Sequence, residues 1–224
     1  MHVMRSIVLV PALALATVAA ASAQQASPAG AAGPTERGYV AAHVGAVSSP
    51  PTAAAFAVEY GDNINRNTQA YVALSYFENL MEQPLLDDLS TLGTDLTSLT
   101  GRRWELSGRD RGVALVTGGK YLFGDGAVRP YVGGGAGIIS VRRTVTDARL
   151  GDVTAAVFND FSAGDVDLSL APASLTRPLA EASFGVGMLK GNTYFDVGYR
   201  YRKAFRLASG LDFSQVSVGV GYKF

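Results

Sequence analysis

The sequence predicts an all-β chain, an antiparallel up-and-down transmembrane β-barrel of eight strands. Three observations carry that prediction. Eight segments place apolar residues at every second position. Short and long connections alternate between them. An export-type N-terminus is followed by no apolar run of the ~18 residues that a helical span needs.

Taken in order, Met1-His-Val-Met-Arg5 is a short positive stretch, and Ile7–Val10 with Leu13–Ala21 form an apolar core interrupted by Pro11. Ala21-Ser22-Ala23 supplies the small-x-small cleavage pattern, so residues 1–23 read as a signal peptide and the mature chain begins at Gln24. The run is too short and too rich in alanine for a membrane-anchoring helix. With no cysteine in the chain there is no lipoprotein anchor, no disulfide and no thiolate metal site. Residues 24–37 are small, Pro/Gly-containing and aperiodic, which reads as a flexible leader. Residues 38–224 form the barrel domain.

The segments are 38–48, 54–61, 68–78, 111–123, 129–142, 179–190, 193–203 and 214–224. Each approaches the ~9–11 residues that a tilted strand needs to cross a bilayer. In the last, Val216, Val218, Val220, Tyr222 and Phe224 alternate with Gln215, Ser217, Gly219, Gly221 and Lys223. In the seventh, Phe195, Val197, Tyr199 and Tyr201 alternate with Asp196, Gly198, Arg200 and Arg202. The first two are weaker, being rich in alanine. Gly61–Asn67, Gly124–Gly126 and Gly191-Asn192 are short turns, the last a two-residue hairpin signal. The connections 79–110 and 143–178 are long. Short turns on one side and long loops on the other are the rule for transmembrane barrels, and an even strand number returns both ends to the short-turn side.

Composition agrees. The chain is 48% hydrophobic and 17% charged, with 26 Gly, 10 Tyr and 10 Phe, and its 19 bases balance 19 acids. Loss of Arg5 with the signal leaves one acid in excess, and nothing there suggests a nucleic-acid partner.

The pattern at Val220, Tyr222 and terminal Phe224 resembles the C-terminal strand that outer-membrane insertion machinery reads. Arg129-Pro-Tyr-Val-Gly-Gly-Gly-Ala-Gly-Ile138 is similar to a strand opening common among small eight-stranded outer-membrane barrels of the outer-membrane protein A and X type. The resemblance covers residues 38–224. It implies a monomer in the bacterial outer membrane with both mature ends in the periplasm, in contact with outer-membrane lipid and lipopolysaccharide. Compared with full-length A-type proteins the chain ends at the barrel, with no peptidoglycan-binding domain.

Site residues follow from the inward face. Glu59, Lys120, Glu181, Asp196, Arg200 and Arg202, with His43 beside them, are expected in the lumen. An eight-stranded barrel is just wide enough for side chains to fill it, so a salt-bridge plug is favoured over an open ionic pore. Gly118-Gly119 and Gly133–Gly135 lack the Lys-Ser/Thr of a phosphate loop and read as curvature and close packing. After cleavage His43 is the one histidine left, without a Ser or Asp close by in sequence, so no catalytic residue, cofactor or metal is assigned. Asp147, Asp152, Asp160, Asp165 and Asp167 do not match EF-hand spacing.

In the first long loop Leu85, Leu89, Leu92, Leu96 and Leu99 mark one helical face, with Pro84 suited to a first turn and Gly93 weakening the case. That face is expected to pack on Val157, Phe158 and Phe161 of the second loop, or else on a partner protein or host surface. Residues 153–161 and 166–170 could form a hairpin and raise the strand count to ten; the aspartates there favour eight. Arg102, Arg103, Trp104, Arg142, Arg143 and Lys203, with Arg109, Arg111, Arg202 and Arg206, are expected at outer strand ends, where guanidinium forks suit lipopolysaccharide phosphates. The functional expectation is a non-enzymatic envelope protein acting through loops 79–110 and 143–178. A narrow channel is the alternative, and a lipid-modifying enzyme stands behind both.

Overall fold

A computed structural model describes residues 38–48, 52–159, 174–205 and 211–224. The strands are β1 (Gly38–Ser48), β2 (Ala53–Asn63), β3 (Thr68–Phe77), β4 (Leu106–Leu122), β5 (Val128–Asp147), the short β6 (Gly151–Asp152), β7 (Ser174–Lys190), β8 (Thr193–Ala204) and β9 (Leu211–Lys223). Helix α1 (Gln83–Thr100) joins β3 to β4, and α2 (Thr154–Asn159) follows β6. The sheet order is β4-β3-β2-β1-β9-β8-β7-β5-β6, and β4 also pairs with β5. Every adjacent pair is antiparallel. The sheet therefore closes into a barrel of eight long strands, with β6 a two-residue addition on β5.

Alternation decides which way each side chain faces. On β9, Val216, Val218, Val220 and Tyr222 are 52–56% exposed, while Gln215 and Ser217 are buried between them. A soluble sheet would hide the apolar set, and here the apolar set is outside. The three tall strands run beyond their expected limits: β4 starts at Leu106 rather than 111, β5 reaches Asp147 rather than 142, and β7 starts at Ser174 rather than 179. Leu106 faces Asp147 and Gly112 faces Val141, so β4 and β5 rise as a paired wall above the end of β3, whose Phe77 is level with Gly112. The polar, Thr- and Arg-rich sequence of that wall hid its strand character.

Helix α1 packs on the inner side of this wall. Leu89, Leu92 and Leu96 are buried with Met81, Val145, Val153 and Val157, and Leu85, Leu86, Trp104 and Leu106 close the edges. The leucine face is thus satisfied within the chain, and Val157 receives it. Leu99 departs from the expected face and is 80% exposed. The returning segment docks on threonines instead: the Trp104 N–H donates to Thr97 Oγ1 at 2.9 Å and its Nε1 to Thr100 Oγ1 at 3.1 Å. Gly93 makes that approach feasible, since a Cβ there would sit 3.2 Å from the Trp104 carbonyl oxygen. The residue that counts against the helix is the one that lets it dock. Residues 154–159 are helical rather than the first arm of a hairpin; the proposed second arm, Phe161, Asp160, Asp165 and Asp167 lie outside the described residues, as do residues 1–37 and Arg206.

Candidate functional site: a filled lumen and an extended wall

Three inward layers fill the barrel. At the end where β1 begins, Tyr39, Ala41 and Tyr194 are buried together against Leu189, the two tyrosine rings 4.8 Å apart. A cavity of about 280 Å³ opens at that end and is floored by Tyr39 and Tyr194. At the opposite end Val47, Phe77, Leu80, Leu179, Ala204, Leu211 and Phe213 form an apolar cluster, with Phe77 and Phe213 edge to face at 5.1 Å.

Between these layers lies the charged centre. The Glu59 carboxylate accepts from Lys120 Nζ, from Arg200 Nη2 at 2.7 Å and from the Tyr39 hydroxyl at 2.5 Å. Glu181 accepts from Arg202 Nε at 2.6 Å and from the Tyr71 hydroxyl at 2.8 Å, with Arg200 Nη1 3.9 Å away. Arg202 also donates to Gln215 Oε1 at 2.6 Å and to Ser75 Oγ at 3.2 Å. Asp196 accepts from the hydroxyls of Tyr131 and Tyr194 at 3.3 and 3.1 Å. Lys120 Nζ is ringed by Tyr39, Tyr71 and Tyr131, at 5.7, 5.2 and 4.9 Å from their centroids. All six ionisable side chains are at most 6% exposed. Glu59 and Glu181 meet Lys120, Arg200 and Arg202, and Asp196 meets two hydroxyls, which is what permits such groups to leave water together.

Of the six residues named from the sequence, Glu59, Lys120, Glu181, Arg200 and Arg202 thus share one ion-pair network, and Asp196 stands beside it on the hydroxyls of Tyr131 and Tyr194. Tyr39, Tyr71 and Tyr131 were missed because a tyrosine at a strand end reads equally well as part of an outer aromatic belt. Tyr71 has room only because its neighbours are small, a Cβ on Gly135 falling 2.9 Å from the Tyr71 hydroxyl oxygen. His43 is buried with Nδ1 3.7 Å from Asp196 Oδ1, and neither ring nitrogen is hydrogen-bonded to Glu59 or Ser75 among the described residues.

The expected cationic rim divides. Arg143 is a correction: it faces inward, 8% exposed, and forks onto Asp110 through Nε at 2.8 Å and Nη2 at 2.7 Å. It follows Ile139 and Val141 in the inward register, so its parity aims it away from lipid. Arg202 is likewise a lumen residue. Arg102, Arg103 and Trp104 belong to the segment after α1, with the Arg102 guanidinium 5.3 Å from the indole and Arg103 paired to Glu105 at 2.7 Å. Arg142 and Lys203 do point outward, as do Val220, Tyr222 and Phe224.

At the top of the wall Asp147 ties β4, β5 and the following turn together. The backbone N–H groups of Arg149 and Leu150, each 3.0 Å from Oδ1, and of Glu105, 3.1 Å from Oδ2, hold its carboxyl below the usual carboxylate range. Asp152 is lowered in the same way by the Thr154 hydroxyl and N–H.

Solved structures share the closed antiparallel eight-strand fold. The Neisserial surface protein A has a TM-score of 0.52 at 17% identity, covering 86% of this chain and 100% of that one. This is the fold of the small eight-stranded outer-membrane β-barrels. The attachment invasion locus protein Ail of Yersinia pestis aligns at 0.46 and 12% identity over 84% of this chain and 97% of its own. The N-terminal β-barrel domain of Pseudomonas aeruginosa OprF aligns at 0.43 and 16%, over 84% and 100%. No family model and no curated protein matches the barrel's sequence.

Proposed function

We propose that this is a non-enzymatic outer-membrane barrel whose lumen is a structural plug and whose working surface is the extended wall with its packed helix. The layered filling of the lumen carries the reading: tyrosines at one end, an ion-pair network in the middle and an apolar cluster at the other. A side-chain-filled interior suits the eight-stranded size class. The apolar exterior supports residence in lipid, and the N-terminal pattern of residues 1–23 supports export, with the mature ends in the periplasm. Envelope integrity follows from the anchored barrel. Surface interaction falls to the platform of α1 and the wall, which presents a groove of about 410 Å³ lined by Ser90, Thr94, Arg103, Trp104 and Glu105. A protein or host-surface ligand would meet this platform; the barrel itself works as a monomer.

The channel reading is tested by single-molecule conductance of the refolded mature barrel in a planar bilayer. A silent, folded barrel is expected. Regular current steps that change on substitution of Lys120 or Glu181 would replace the plug with a pore. The enzyme reading is tested by His43→Ala, which is expected to leave envelope lipid composition unchanged; an altered acylation pattern would refute a non-enzymatic role.

A further inference from the structure

Outside the lumen, one feature of the wall lacks an internal explanation. Arg111 on β4 and Arg142 on β5 are direct cross-strand partners, and both are exposed on the outer face. Arg109 is the next outward residue above Arg111, opposite Thr144. Directly opposed side chains of an antiparallel pair lie about 5 Å apart at Cβ, and like charges there repel. Acids could offset this, yet every ion pair among the described residues lies elsewhere, and none involves Arg109, Arg111 or Arg142. Asp152 is near enough for Arg142 to help lower its pKa, but the two form no ion pair, and Asp152 Oδ1 accepts from Thr154. Inward neighbours of the same strands behave differently, since Asp110 and Arg143 neutralise each other.

The height of the pair is informative. One step below it stand Val113, 47% exposed, and Ser140; one step further are Leu115 and Ile138, 37% and 53% exposed. Two steps above, beyond Arg109 and Thr144, Ser107 and Thr146 share a hydroxyl hydrogen bond of 2.8 Å. The three guanidinium groups therefore sit where an apolar exterior gives way to a hydroxylated one. In a membrane-spanning barrel that is the level of lipid headgroup phosphates, and a guanidinium fork binds phosphate oxygens bidentately.

We propose that Arg109, Arg111 and Arg142 form a binding site for the phosphate of an outer-leaflet glycolipid, a single phosphate bridging the opposed Arg111 and Arg142. The proposal rests on the membrane-spanning reading and deepens it, by giving the lipid contact an address on the β4–β5 wall. The bridging anion turns the repulsion between the two arginines into a shared attraction. Arg102 and Arg103, on the segment beside α1, are not part of the site.

The test uses the full mature chain refolded in phosphatidylcholine nanodiscs doped with diphosphorylated lipid A, with its dephosphorylated form, or with neither plus inorganic phosphate. The readout is thermal midpoint as a function of dopant. Wild type and a control variant, Arg66→Ser/Lys190→Ser, which removes two exposed charges from the opposite end, should rise in midpoint with diphosphorylated lipid A alone. Arg111→Ser/Arg142→Ser should need at least ten-fold more of that lipid for the same rise. Equal response of this variant and wild type overturns the site, and equal loss in the control reduces it to general charge attraction, which also overturns it. Equal protection by inorganic phosphate overturns the glycolipid assignment. Insertion is scored separately by heat-modifiable gel migration, so a wild-type chain that fails to insert counts against the membrane-spanning reading rather than against the site.

Discussion

Replacing Glu59 with Gln is the sharpest probe of the lumen, because three donors converge on that one carboxylate. Lys120, Arg200 and the Tyr39 hydroxyl all lose their ionised acceptor, and the centre falls from three acids against three bases to two against three. Arg200 keeps only Glu181, at 3.9 Å, and Lys120 keeps only its tyrosine rings and the Tyr39 oxygen. Removing one partner of a buried ion pair costs about 3–5 kcal/mol, most of it the penalty of the charge left behind. Glu59→Gln should therefore destabilise the barrel by about that amount.

The companion variant, Glu59→Gln/Lys120→Met, restores the balance at two against two and places an apolar chain among Tyr39, Tyr71 and Tyr131. It should cost less than the sum of Glu59→Gln and Lys120→Met by about 0.5–3 kcal/mol, the coupling typical of contacting residues. Reversible urea unfolding in phosphatidylcholine vesicles, followed by heat-modifiable gel migration, measures both. If Glu59→Gln lies within about 1 kcal/mol of wild type, or the double variant costs the sum of its singles, the charges are hydrated and independent. The lumen would then be open to water, and the plug would fall with it.

Other outcomes follow from the wall. Arg143→Ala should cost about 3–5 kcal/mol in detergent, since it strands Asp110, whereas Arg142→Ala should stay within about 0.5 kcal/mol there; equal costs in urea unfolding would contradict the assigned faces. Leu92→Ala should weaken docking of α1 by about 2–5 kcal/mol and Leu99→Ala by under about 0.5 kcal/mol. Limited proteolysis between Glu82 and Arg103, with the barrel intact on gels, reads this difference. Asp147 gives a pH dependence. Its folded pKa is lowered, so its contribution is present above the unfolded value of about 3.9 and is lost as pH falls through the folded one. The wall top should resist protease at neutral pH and loosen below about pH 4, while Asp147→Asn should be loose already at pH 7; an acid-insensitive wall refutes the role.

Much of the barrel was legible because strand alternation and turn chemistry are local. Val216 to Phe224, or Phe195 to Arg202, declare their faces without reference to any neighbour. The lumen charges were legible for the same reason, since parity alone puts Glu59, Lys120, Glu181, Asp196, Arg200 and Arg202 inside. What parity does not show is reach. Tyr71 of β3 bonds Glu181 of β7 across the lumen, a contact that depends on barrel closure and on glycine spacing two strands away. Strand ends were legible where Gly and Asn mark the turn, and illegible at the top of β4 and β5, where Thr, Ser and Arg replace the apolar residues that announce a strand.

The arginines show what a strict reading of parity adds. Clustered by position along the chain, Arg142 and Arg143 look like one basic patch, and so do Arg202 and Lys203. One residue of a strand is half a pleat, however, and neighbours face opposite media. Arg143 continues the inward series of Ile139 and Val141 and needs an acid, which Asp110 supplies from the facing strand. Arg142 continues the outward series and meets Arg111, and no ion pair among the described residues involves either. The β4–β5 wall thus gives its inward Arg143 a carboxylate, where an unpaired cation is costly, and leaves Arg111 and Arg142 on its outer face to be neutralised by the surroundings. A cation left unpaired at that level reaches water and ions or, under the proposal above, a lipid phosphate. The same division pairs the lumen charges with groups inside the barrel and leaves those of Arg109, Arg111 and Arg142, on β4 and β5, facing the surroundings.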